Sequence, residues 1–124
     1  MLYFALNLLC HVVHVALILF VLLGWLFAPL QAAHLALVLG MLGCWFILGR
    51  WLGAGYCPIT DAHWRIKAAL GPGRPPSSYI HYLLARLGWA VNPAKLDRNV
   101  GLAAIGIALL SVAVNVPRLL GWLR

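Results

Sequence analysis

The chain has 124 residues, of which 65% are hydrophobic and only 9% charged. That excludes an ordinary soluble domain, in which about a quarter of residues carry charge. A mean hydropathy of +0.97 and a length of a few crossings of about 20 residues each define an all-α polytopic membrane bundle with no room for a separate soluble domain. The formal net charge of +7 does not indicate a nucleic-acid partner, because the basic residues sit between and after the apolar runs, where they mark topology and face anionic headgroups.

The first apolar run, residues 2–28, holds no Asp, Glu, Lys or Arg, yet it contains Asn7, His11 and His14. On a helix these three share one face, which should point at protein because unpaired polar groups are costly at bilayer depth. The run is far longer than the apolar region of a cleavable leader, is interrupted by two histidines and lacks a basic start, so it reads as a span. A turn around Pro29 joins it to a second span over 33–52. There Ala36, Gly40 and Cys44 form a small-residue stripe suited to close helix approach, and His34 is expected as a polar tip at the interface.

After glycines that close the second span, Thr60 reads as the cap of a short helix over 61–70, with Asp61 and Arg65 paired one turn apart. Its apolar face makes it an interfacial helix. A Gly-Pro loop, 71–77, separates it from a second amphipathic helix over 79–91 capped by Ser78; the alternative is a fourth span there. The last span runs over 99–116 and carries a small and polar stripe of Gly101, Ala104, Ala108, Ser111 and Asn115. That face is expected to dock on the first span, so that Asn7, His14, Ser111 and Asn115 form one polar packing stripe with His14 and Ser111 at similar depth, roughly 18–20 Å from the membrane surface.

Two chemistries fit the remaining residues. His11 and His14 are candidate haem ligands, although residues on one helix face cannot take opposite sides of one porphyrin, so a haem would need a second copy or a partner. Cys57, His63 and His81 are candidate metal ligands at the membrane face, against a simpler role at helix starts. The chain has two acidic residues, Asp61 and Asp97, too few for hydrolytic or phosphoryl-transfer catalysis, and no catalytic residue is assigned. Cys10, Cys44 and Cys57 show no paired spacing and read as free thiols.

The run from His14 through Phe20 and Gly24, the His34-Leu35 pair, and above all Cys57-Pro58-Ile59-Thr60 followed by His81-Tyr82-Leu83-Leu84 resemble an uncharacterised bacterial family of small membrane proteins, domain-of-unknown-function family twenty-seven eighty-four. The resemblance implies a bacterial inner membrane and a helical bundle, and it implies no activity. The resulting expectation is three spans and two interfacial helices in one membrane domain, with the N-terminus and residues 50–98 cytoplasmic by the positive-inside rule. Its partners would be the bilayer and other membrane subunits or further copies of the chain. An accessory or scaffold subunit is the expected role; a redox, haem- or metal-handling protein is the alternative.

Overall fold

The computed structural model describes residues 1–73, 76 and 78–122. Among them every regular element is helical: α1 (Leu2–Leu23), α2 (Gln31–Gly43), α3 (Gly49–Leu52), α4 (Pro58–Leu70), α5 (Tyr79–Arg86) and α6 (Pro93–Trp122). Three stretches are long and apolar enough to cross a membrane, Leu2–Leu26, Ala28–Leu52 and Pro93–Gly121. At 1.5 Å per residue each exceeds the roughly 30 Å hydrocarbon core. The eight-residue α5 is too short for a fourth crossing.

Two short 3₁₀ turns, Gly24–Leu26 and Ala28–Leu30, connect α1 to α2, with Pro29 at the start of the second, where its missing N–H costs nothing. A wider π-helical turn, Cys44–Leu48, carries α2 into α3. The chain then reverses through Gly53 and Gly55, whose φ values of 108° and 74° favour a residue without Cβ. The reversal folds Ala54 and Gly55 back against Gly49, which returns the chain toward the middle of α1.

Several boundaries differ from those expected. Helix α4 begins at Pro58 rather than Asp61: proline at the first helical position is pre-shaped for the helix, and Cys57 becomes the capping residue. Thr60 therefore lies inside the first turn with its hydroxyl available for a tertiary contact. Ser78 does cap α5, accepting the His81 N–H at 3.2 Å. That helix stops at Arg86, not at position 91, because Gly88 adopts a φ of 83° and two carbonyls of the last turn, of Leu84 and Ala85, take the N–H groups of Trp89 and Gly88. Helix α6 starts at Pro93, with Asn92 Oδ1 accepting the Lys95 N–H at 3.1 Å, and runs on through Pro117 instead of ending there. The Asp61–Arg65 pair forms at 3.0 Å on the exposed side of α4. Arg74, Pro75 and Ser77 of the Gly-Pro loop, and Arg124, lie outside the described residues.

The stripe on α6 is the buried face of that helix: Ala104, Ala108, Ser111 and Asn115 are all buried. Its partner, however, is α2, while α1 is covered chiefly by α4. Small side chains permit close approach to any helix that presents a matching surface. Here the match is Val38 and His34, both fully buried. The expected stripe on α2 faces outward instead, with Ala36 and Gly40 exposed and open space around the Gly40 Cα.

Candidate functional site

The polar side chains within the bundle gather in two clusters at different levels. The first joins α1, α2 and α6. His34, expected at the interface, has no solvent exposure. Its Nε2 lies 2.9 Å from the Val21 carbonyl, which makes Nε2 the donor, and its Nδ1 accepts from Ser111 Oγ at 2.8 Å. Asn115 Nδ2 donates to the carbonyls of Ser111 and Gln31. The Arg118 guanidinium reaches the Ala28 carbonyl near the α1–α2 turn. Gly24 makes room for the imidazole, since a Cβ there would lie 2.8 Å from His34 Cδ2. One imidazole therefore links three spans, using both ring nitrogens.

The second cluster forms where α4 and α5 meet α1. Residues Asn7, His11 and His14, on one face of α1, meet Thr60 and His63, one turn apart on α4. His14 Nδ1 donates to the Cys10 carbonyl at 2.8 Å, one turn earlier on its own helix, so Nε2 is the acceptor for the Thr60 hydroxyl at 3.1 Å. His63 Nε2 donates to Asn7 Oδ1 at 3.0 Å. These bonds pair the start of α4 with His14 and its next turn with Asn7, so α4 runs antiparallel to α1. Its N-terminus sits at the level of His14, near the middle of the first span.

Tyr79 closes this cluster from α5. It is buried, donates to or accepts from His11 Nδ1 at 3.0 Å, and stacks on His14 with ring centroids 4.0 Å apart. Tyr82 stacks on His11 at 5.5 Å and holds Lys67, whose Nζ donates to its hydroxyl at 3.2 Å and lies over its ring. Burial pushes the Tyr79 hydroxyl above the usual tyrosine range, helped by the neighbouring Tyr82, and keeps it neutral. The sequence reading missed both tyrosines. The signal available was the alternation of aromatic and histidine residues at the start of α5, Tyr79, His81 and Tyr82.

The candidate ligand sets are not assembled in this arrangement. Among the described residues no three His, Cys, Asp or Glu side chains converge as a metal-binding group. Cys57 and His63 stand on the α1-facing stripe of α4, whereas His81 belongs to the opening turn of α5, its N–H bonded to Ser78. The two candidate haem ligands face α4 and α5, and His14 has both nitrogens engaged within the fold. The expected His14–Ser111 contact is replaced by His14–Thr60 and His34–Ser111. Asn7, His14, Ser111 and Asn115 thus belong to two clusters and not to one stripe.

Cys57 has the most unusual thiol. Burial by itself would raise its pKa, but the neighbouring His14 ring, the Thr60 hydroxyl and the first N–H groups of α4 outweigh that and bring it down to about 7. Cys10, Cys44 and Cys57 are all unpaired. Beside the cluster, a shallow apolar groove runs along α1 past His11, Val12, Val15, Ala16 and Leu19.

No protein with a curated description and no solved structure matches this chain. The profile of the family described as "Protein of Unknown function (DUF2784)" matches residues 5–117, which takes in most of each apolar stretch, both amphipathic helices and the histidines of both polar clusters. With a match over nearly its whole length, the chain belongs to the DUF2784 family.

Proposed function

We propose that this protein is a small accessory or scaffold subunit of the bacterial inner membrane, acting in a larger membrane complex or as a homo-oligomer, with its N-terminus and residues 50–98 cytoplasmic. The orientation rests on charge: Arg65, Lys67, Arg74 and Arg86 lie between the second and third apolar stretches, with Arg50 at the end of the second and Lys95 and Arg98 at the start of the third. The observation that carries the role is the use of the intramembrane histidines. His34 uses both nitrogens to join helices, and His14 is steadied on its own helix by one nitrogen and joined to α4 by the other, which is how packing elements behave. The outward surfaces meanwhile include Gly40 and Gly106, both exposed, where an added Cβ would meet nothing. Such positions let the backbone of a neighbouring subunit approach closely.

Gly40→Leu tests the role. The single protomer tolerates it, so the detergent melt should stay within about 0.5 kcal/mol of the parent, while the assembly seen on native electrophoresis of mild-detergent membranes is lost. A parent protein that migrates as one protomer without partners, or an assembly unaffected by Gly40→Leu and by Gly106→Leu, counts against the proposal.

The second reading, redox or metal handling through His11, His14, Cys57, His63 or His81, is favoured by the lowered Cys57 thiol. A pKa of about 7 leaves the thiolate predominant above that pH and lost below it. Alkylation of Cys57 should therefore reach half its maximal rate near pH 7, and His14→Asn should move that midpoint upward. An absorbance spectrum and metal analysis of the purified protein distinguish this reading from a scaffold, which carries neither chromophore nor bound metal.

A further inference from the structure

His63 is fully buried, and its two ring nitrogens are treated differently by the fold. Nε2 donates to Asn7, whereas Nδ1 is buried with no hydrogen-bond partner among the described residues. In the neutral ring with the proton on Nε2, the unpartnered atom is a lone pair and thus a proton acceptor. Its surroundings come from three helices. From α1, His11 packs edge-on at 4.5 Å between ring centroids and His14 at 5.4 Å. From α5, Tyr79 lies at 5.9 Å, with Tyr82 packed against it and Arg86 and His81 on the same short helix. On α4 itself stand Trp64, stacked at 5.3 Å, Lys67 and Cys57.

The charged groups near the cluster are positive. The chain has two acidic side chains: Asp61, which is bonded to Arg65 on the outer side of α4, and Asp97, which lies on α6. Neither offers a counter-ion to an imidazolium at position 63.

We infer that His63, packed against His11 and His14, is a proton-binding site at the α1–α4 junction, and that taking up a proton there releases α4, together with α5, from α1. The neutral cluster holds the junction through Asn7–His63 and His14–Thr60. A proton on Nδ1 of His63 adds an N–H with no acceptor and a positive charge beside two imidazoles and Lys67, which is costly in a buried, acid-free setting. The cost is relieved when α4 swings out, because its Arg65 and Lys67 already suit an interface with anionic headgroups. His34 does not share this property, since both of its nitrogens are bonded.

The titration has a definite sign. Burial first, then the positive charge His11, His14 and Lys67 can carry, hold His63 down to about 4 from an ordinary 6.5. The docked form binds the proton more weakly than the released form. Docking is therefore at full strength above pH 6.5 and weakens progressively as the pH falls from 6.5 toward 4. The inference concerns an internal junction and is independent of the scaffold reading, so loss of assembly in Gly40→Leu neither supports nor damages it.

The experiment uses the full chain in phosphatidylcholine nanodiscs, labelled with 5-fluorotryptophan and with ¹³C-histidine. The Trp64 fluorine resonance, assigned with Trp64→Phe, reports whether α4 is docked, and the imidazole carbons report ring protonation. We expect the Trp64 resonance to move in one transition below pH 6.5, together with protonation of His63. Lys67→Met removes a repelling charge, so His63 should charge at higher pH while the Trp64 midpoint shifts to lower pH. Asn7→Asp supplies a carboxylate at the Nε2 partner position and should let His63 charge while Trp64 keeps its docked resonance. The inference is overturned if His63 titrates near 6.5 in the parent with Trp64 unmoved, or if the Trp64 transition survives unchanged in His63→Gln. It is also overturned if Lys67→Met and Asn7→Asp both leave the midpoint in place, a readout that does not require any variant at position 63 to fold.

Discussion

Ser111→Leu is expected to lower the stability of the bundle by about 2–5 kcal/mol, the sum of overpacking a close helix contact and stranding the His34 nitrogen. Ser111 is fully buried between α6 and α2 and gives its hydroxyl to His34 Nδ1 at 2.8 Å. A leucine there both removes that donor and pushes the helices apart within their contact, since Ala108 and Asn115, one turn away on either side, are buried too. Ser111→Ala keeps the close approach and loses the bond alone, which costs about 0.6–2 kcal/mol in a bilayer setting. Leu109→Ala, at a side chain 67% exposed on the outer face of the same helix, should fall within about 0.5 kcal/mol of the parent. Thermal melts of the three variants in one detergent measure the ordering. A Ser111→Leu protein that melts with the parent would show that α6 does not dock through this face.

Tyr79→Ala should cost about 3–5 kcal/mol, the range for emptying a buried aromatic site, and should free α5. Tyr79 is buried, stacks on His14 and bonds to His11, and it is the first residue of a helix only eight residues long. So short a helix has little stability of its own and depends on such anchors. Tyr79→Phe retains the stacking and loses the hydroxyl bond, at about 1 kcal/mol. Melts measure the stability, and the rate of tryptic cleavage after Arg86 measures release of α5. Cleavage that stays at the parental rate in Tyr79→Ala would mean that other contacts hold the helix.

Features set by neighbouring residues in the chain were legible from the sequence. The three apolar stretches follow from length and the lack of charge. The capping of α5 by Ser78 and the Asp61–Arg65 pair follow from spacings of three and four residues. The start of α4 was also readable in principle, because Pro58 at the first helical position is a stronger signal than the threonine two residues later. The end of α5 lay in Gly88, whose left-handed conformation terminates the helix before the apolar pattern does.

What only the tertiary structure decided is which polar face meets which. Residues Asn7, His11 and His14 on α1 and Ser111 with Asn115 on α6 each had to point inward, since lipid offers no hydrogen-bond partner, whereas the burial of His34, expected as a polar tip at the interface, emerged only in the fold. The amino-acid pattern thus determined that these α1 and α6 side chains face protein. It did not determine the pairing, because a small-residue stripe fits several neighbours equally well and no difference in hydrophobicity selects among helices already immersed in lipid. The selection came from the chain reversal at Gly53 and Gly55, which returns α4 to the level of His14 and occupies the face of α1 that α6 would otherwise have taken. With that face filled, Ser111 meets His34 instead, and the histidines divide into one cluster linking three spans and another whose unpartnered nitrogen lies between α1 and α4.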